Sequence, residues 1–190
     1  MEQKFNENTV YRNIKSSDIE GSECTFEECK FINCDFSYAN LSHITFINCM
    51  MDTCNLSLIK VTETGLQSVD FRDCKITGVN FADSSSFSLA VSFTKCVLDY
   101  TIWHKKKLKG TTFNDCSFEE ADFSETDFTN AVFEKCNLNR AIFNRTILKG
   151  ADFRTAYNFN IDPENNTVNK AKFSADALGG LLIKYKLVIE

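Results

Sequence analysis

Nine cysteines are the side chains of this 190-residue chain best equipped for chemistry. Cys24, Cys29, Cys34, Cys49 and Cys54 lie close enough together to suggest a thiolate metal cluster, and the whole set could equally form a disulfide framework. His43 and His104 could serve as bases, and Trp103 beside Lys105, Lys106, Lys107 and Lys109 could form a basic docking spot. The last set is acidic. Asp115, Glu119, Glu120, Asp122, Glu125, Asp127 and Glu134 fall in a stretch, residues 113–134, that holds no lysine or arginine.

Spacing removes most of this chemistry. Each cysteine lies two residues before a large apolar residue, and those apolar residues recur every five positions. The series runs Phe26, Phe31, Phe36, Leu41, Phe46, Met51, Leu56, Val61, Leu66, Phe71, Ile76 and Phe81. It resumes, after a slip of two residues, as Phe93, Leu98, Trp103, Leu108, Phe113, Phe118, Phe123, Phe128, Phe133, Leu138, Phe143, Leu148 and Phe153. A period of five suits neither a helix, which it rotates by roughly 140°, nor a straight strand, which it flips to the other face. Residues i−2 and i of an extended segment point the same way, so both face inward if the backbone bends by about a right angle after each unit. Four sides then close a square coil of 20 residues, and stacked coils pair backbone to backbone at about 4.8 Å.

The i−2 positions must be small to fit beside a phenylalanine, and cysteine, alanine, threonine and valine dominate them; Lys106 is the one charged exception. Cys34, Cys54 and Cys74 are spaced by one coil, as are Cys96, Cys116 and Cys136. The reading is therefore a column of six thiols on one side, with a small bulge or loop within residues 82–92. The cysteines act as reduced, small hydrophobes, and no metal or cofactor is expected, since no histidine shares an inward position. Both histidines point outward with no nucleophile on the same side, so no catalytic residue and no enzyme is expected. Trp103 takes a central core position, and Lys106 is expected to snorkel out to a solvated basic corner.

This pattern resembles the pentapeptide-repeat proteins, whose A(D/N)LXX unit reads here as Ala121-Asp122-Phe123, Ala151-Asp152-Phe153 and Cys136-Asn137-Leu138. The resemblance covers roughly residues 14–158 and implies an all-β fold, a right-handed quadrilateral β-helix with a short C-terminal capping helix. The tail is similar to the quinolone-resistance and microcin-immunity branch in Leu148-Lys149-Gly150-Ala151-Asp152-Phe153, in Asn160-Ile161-Asp162-Pro163-Glu164-Asn165, and in Leu178 to Ile189. The run from Phe93 through Trp103 to Phe113 resembles the middle of quinolone-resistance members. That branch implies a partner, DNA gyrase or a related type II topoisomerase, protected from a drug or toxin, and implies dimerisation through the C-terminus.

One elongated domain accommodates all of this: residues 1–13 as an N-terminal cap, 14–160 as the repeat, and 161–190 as a turn, a helix and a dimer tail. The chain contains a single proline and no long Gly/Ser linker. Met1-Glu2-Gln3-Lys4 does not open a signal peptide, and no segment approaches about 18 uncharged apolar residues, so the expectation is a cytoplasmic protein with no membrane contact. Ser174 can cap a short helix in which Leu178, Leu181, Leu182 and Tyr185 share the face that closes the last coil. Leu187, Val188 and Ile189 then form the dimer contact. The net charge of −5 speaks against a direct nucleic-acid partner. The seven carboxylates are the candidate partner contact, either as a mimic of DNA phosphates or as a solvated belt, and the alternative function is a structural or adaptor scaffold for another protein.

Overall fold

The computed structural model of the protein describes residues 4–18 and 24–188, and it is a four-sided parallel β-solenoid. The first side stacks Phe26, Phe46 and Leu66 through β3 (Cys24–Glu27), β5 (Thr45–Ile47) and β7 (Gly65–Arg72). The second stacks Phe31, Met51, Phe71, Phe93, Phe113 and Phe133 through β4 (Lys30–Ile32), β6 (Met50–Asp52), the end of β7, β8 (Ala90–Thr94), β9 (Thr112–Asn114) and β10 (Val132–Glu134). The third and fourth sides are joined by single bridges, such as Lys75↔Val97↔Ser117 and Ile102↔Asp122↔Ile142. Within each half of the repeat, partners are 20 residues apart, as the spacing of the thiols requires.

The ladder outruns its expected limits at both ends. β1 (Lys4–Glu7) pairs with β3 and β2 (Val10–Arg12) with β4, so the first coil begins inside the segment expected to be a cap. Thr167 pairs with Ile147 and Lys172 with Asp152, carrying the repeat past residue 160. The expected slip lies where the reading put it. Phe81–Asp83 forms a 3-10 turn, and β8 resumes against β7 with Phe71 facing Phe93 after a register shift between Gln67 and Val69.

The bend between sides is made by the residue two past most core positions, which sits in the left-handed region, Asp83 in the slip and Thr155 being exceptions. Glu28, Asn33, Tyr38 and His43 take φ of 52°, 53°, 61° and 63°, and the pattern continues around the coil, with glycine, among the described residues, at Gly78, Gly110 and Gly150. That conformation costs a non-glycine residue roughly 1 kcal/mol. Hydrogen bonds to the next coil offset it, Tyr38 N–H to Ser57 O and His43 N–H to Thr62 O each at 2.9 Å.

The interior is a stack of rings. Phe133 lies 4.9 Å from Phe113 and 4.7 Å from Phe153 with near-parallel planes, and Trp103 stacks on Phe81 at 4.0 Å. A void of about 10 Å³ remains where Met51, Leu56, Val61 and Leu66 replace phenylalanine in one coil. All nine cysteines are buried, and those from Cys29 to Cys136 are free thiols. Cys54 donates to Phe31 O at 3.4 Å and Asp52 O at 3.3 Å, while its own N–H meets Cys74 Sγ at 3.4 Å, so the column forms as the spacing predicts.

Two expectations fail. Lys106 does not snorkel: it is 3% exposed, and its ammonium donates to the Ser84 carbonyl and, at 3.1 Å, to Ser86 Oγ. The slip is the cause, because it sets the buried Ser84 carbonyl and the hydroxyl of the exposed Ser86 within reach of the Lys106 ammonium. Burial pushes the Lys106 pKa down, against the opposing pull of Glu63 and Asp83. The expected short C-terminal helix is present over Ala175–Leu181, wound as a 3-10 helix and followed by a 3-10 turn at Ile183–Tyr185, but the second expectation fails in that Ser174 makes no side-chain cap. Gly180 lies so close to Phe159 that a Cβ there would approach the Phe159 carbonyl to 2.5 Å. The tighter wind brings Ala177 and Leu181 onto the last coil beside Phe173, and leaves Leu178 and Tyr185 exposed.

Candidate functional site

The seven acidic residues ring the rod, and the 20-residue register sets most of them against partners one coil away. Arg140 meets Glu120 at 2.9 Å on the edge between the third and fourth sides. On the edge between the fourth and first sides, Arg145 meets Glu125 at 2.7 Å and Lys105 approaches the same carboxylate at 3.8 Å. Asp127 pairs with Lys109 at 3.2 Å; burial works against its charge, but Thr129 and Lys109 together hold its pKa below the usual carboxylate range. Glu119 accepts from Asn139 at 2.9 Å. Asp115, Asp122 and Glu134 form no ion pair among the described residues; Asp115 and Glu134 neighbour each other at the end of the second side, and Asp122 lies on the fourth. Exposed pairs of this kind contribute under about 1 kcal/mol each, yet they cancel the charge that a phosphate mimic would need.

The apolar exterior is less evenly spread. Tyr38, Leu58 and Tyr100 occupy the edge between the third and fourth sides, joined coil to coil through Gly78. Val97 and Tyr157 lie beside it on the third side, and Ile102 and Ile142 on the fourth. On the remaining sides of the repeat, past residue 24, only Phe87 and Ile147 are large, apolar and exposed. Phe87 projects from the slip loop, 74% exposed, above the Lys106 clasp. Sequence reasoning missed this edge because its attention went to charge; the repeat register alone would have assembled it.

Of the residues assigned to the tail, Leu181 and Leu182 are half-buried, whereas Leu178, Tyr185, Leu187 and Val188 are exposed. Ile189 lies outside the described residues. Lys184 bridges Asp162 and Glu164 at 2.7 Å each, and Tyr185 donates to Glu164 at 2.8 Å, so polar contacts tie the segment to the rod. Among the described residues no group of three or more histidine, cysteine or acidic side chains is placed to hold a metal ion, and no helix is long and apolar enough to cross a membrane. A surface depression of about 430 Å³, open to solvent, lies between Val132, Glu134, Asp152, Arg154 and Thr155, where Arg154 is already paired with Asp152 at 2.7 Å.

Two family models match. A pentapeptide repeat region covers residues 24–90, and pentapeptide repeats in eight copies cover 92–130 and 121–156. The solved structures of QnrB1, a plasmid-mediated fluoroquinolone resistance protein, are similar over the whole length. One trypsin-treated variant gives a TM-score of 0.64 at 15% identity, covering 99% of this chain and 98% of that one. A second trypsin-treated variant gives 0.60 at 15%, covering 100% of both, and full-length QnrB1 gives 0.54 at 16%, covering 96% and 100%. No curated protein matches the chain by sequence. The chain belongs to the pentapeptide-repeat family.

Proposed function

We propose that this pentapeptide-repeat protein is a non-catalytic binding protein of the quinolone-resistance or microcin-immunity kind, acting on DNA gyrase or a related type II topoisomerase and protecting it from a drug or toxin. The observation that carries the reading is the end-to-end likeness of its coil to QnrB1, a fluoroquinolone resistance protein. A rod with a packed core and flat sides is suited to contact with a partner. The ion-paired carboxylates shape the mechanism. With Glu120, Glu125 and Asp127 matched by Arg140, Arg145 and Lys109, a contact with the topoisomerase depends on the surface as a whole, apolar edge included, and not on a belt of free negative charge.

In this reading the protein works in the cytoplasm as a homodimer, paired through the exposed Leu178, Leu187 and Val188 of the tail. The test is supercoiling and drug-induced cleavage by purified gyrase, with and without a fluoroquinolone, as the protein is titrated in. Restored supercoiling or reduced cleavage in the presence of drug is the expected result. No change in supercoiling, cleavage or drug sensitivity at micromolar protein would remove gyrase as the target and leave an adaptor scaffold for another protein.

A further inference from the structure

The fourth side, between its two edges, carries an arrangement that the proposed activity does not require. Ile102, Asp122 and Ile142 are consecutive members of one ladder column, bridged coil to coil, with the two isoleucines 38% and 51% exposed. The neighbouring outward positions, His104, Ser124 and Asn144, are half-buried and nearly flush with the coil. Long side chains stand along both margins: Tyr100 and the Glu120–Arg140 pair on one, and Lys105, Glu125 and Arg145 on the other. The result is a flat strip along the rod axis with an apolar, acidic, apolar floor. Asp122 accepts one hydrogen bond from the Ser124 N–H at 2.8 Å and is in no ion pair among the described residues, although every carboxylate on the two margins is paired.

Coils spaced by about 4.8 Å put Asp122 about 5 Å, and Ile142 about 10 Å, from Ile102 along the axis. An α-helix carries residues i, i+4 and i+7 on one face at rises of roughly 6 and 10 Å. We propose that this strip is a docking site for a basic amphipathic helix of a partner protein, with apolar side chains at i and i+7 seated on Ile102 and Ile142 and a lysine or arginine at i+4 meeting Asp122. The apolar ends select a partner helix over a nucleic acid, which would find Arg140 paired with Glu120 and both Lys105 and Arg145 engaged by Glu125. The unpaired carboxylate selects a basic helix over an acidic one.

The test uses a fluorescein-labelled 18-residue Leu–Lys amphipathic peptide, its Leu–Glu counterpart and a short DNA duplex, each titrated with the full chain and followed by anisotropy. The Leu–Lys peptide should bind wild type. The double variant Ile102→Ser, Ile142→Ser should weaken binding by about tenfold or more, and Asp122→Asn should weaken it severalfold while flattening its salt dependence. Asp115→Asn with Glu134→Gln, which removes two unpaired carboxylates from elsewhere on the coil, should leave binding unchanged. Melting midpoints confirm that each variant is folded. Equal binding of the Leu–Glu peptide, tighter binding of the duplex, equal weakening by the Asp115 and Glu134 changes, or a halved mass of the Ile102, Ile142 variant would each overturn the assignment, the last by showing that a second copy covers the strip. None of these readouts involves gyrase, so the docking strip and the proposed target stand or fall separately.

Discussion

Raising the pH should dismantle this fold, and the thiols supply the reason. Burial pushes Cys49 up to about 11. The thiol stacked on the next coil, together with burial, pushes Cys96 and Cys116 up to about 12. At Cys74 the pull of Cys54 acts downward, but Cys96 and burial outweigh it and the value again reaches about 12. An unfolded thiol loses its proton near 9, so above that pH the unfolded chain binds fewer protons than the native one and the free energy of unfolding falls as pH rises. The contribution is fully present below the unfolded value and is lost between about 9 and 12. One pH unit past the unfolded value removes about 1.4 kcal/mol per thiol, so these four remove about 5 kcal/mol between pH 8 and pH 10. That is comparable to the whole stability of many domains. Urea melts at pH 8, 9 and 10 measure it; with a slope of about 2 kcal/mol per molar, the midpoint should fall by about 2 M or more. Lysines, tyrosines and the likewise raised Cys54 also titrate in or beyond this window, so the control is a double variant, Cys96→Ala with Cys116→Ala, in which the pH-dependent loss should shrink by about 3 kcal/mol. An identical loss in wild type and double variant would refute the argument that the buried thiols set the alkaline limit.

Lys106→Met should leave the overall melting midpoint within a few degrees while amide exchange in residues 84–89 quickens by about tenfold, because the Ser84 carbonyl loses its charged donor; unchanged exchange by mass spectrometry would mean that the lysine does not hold the loop. Val61→Ile adds one methylene beside the small void and should stabilise by about 0.5 to 1 kcal/mol in urea unfolding, whereas a loss would show that the surrounding coil cannot yield. Replacing both Leu187 and Val188 by serine should convert a dimer into a monomer by light scattering, and an unchanged dimer mass would move the subunit contact off the tail.

Most of the interior was legible because a period of five admits one solution, and the side chains at i and i−2 report it independently. The corners were not. Glu28, Tyr38 and His43 adopt left-handed backbone with side chains that do not announce it, since the preference is imposed by hydrogen bonds to a coil 20 residues away. Lys106 misled for a related reason: the rule that a lysine at a small inward position must escape assumes a regular coil above it, and the slip suspends that rule locally. The tail misled through periodicity itself. Leu178, Leu181, Leu182 and Tyr185 fit a 3.6-residue face, but the close approach of Gly180 to Phe159 demands a tighter wind, and the half-buried Ala177 joins Leu181 against the core while Leu178 and Tyr185 are exposed.

The ion pairs carry a lesson about the surface. Glu120 with Arg140 and Glu125 with Arg145 are each separated by the interval that stacks Cys96 on Cys116, so the register that predicted a thiol column also predicted cancellation of the acidic belt. A linear count of charge over residues 113–134 treats as neighbours side chains that face different directions, and treats as distant the arginines directly beneath them. On a solenoid the relevant neighbourhood is the column. Sorted that way, Glu120, Glu125 and Asp127 are matched by cations, and Asp122 stands as an unmatched carboxylate between two exposed isoleucines on a single side. A partner therefore meets one strip in which charge and apolar area coincide, which makes the fourth side the place where substitutions should separate binding from stability.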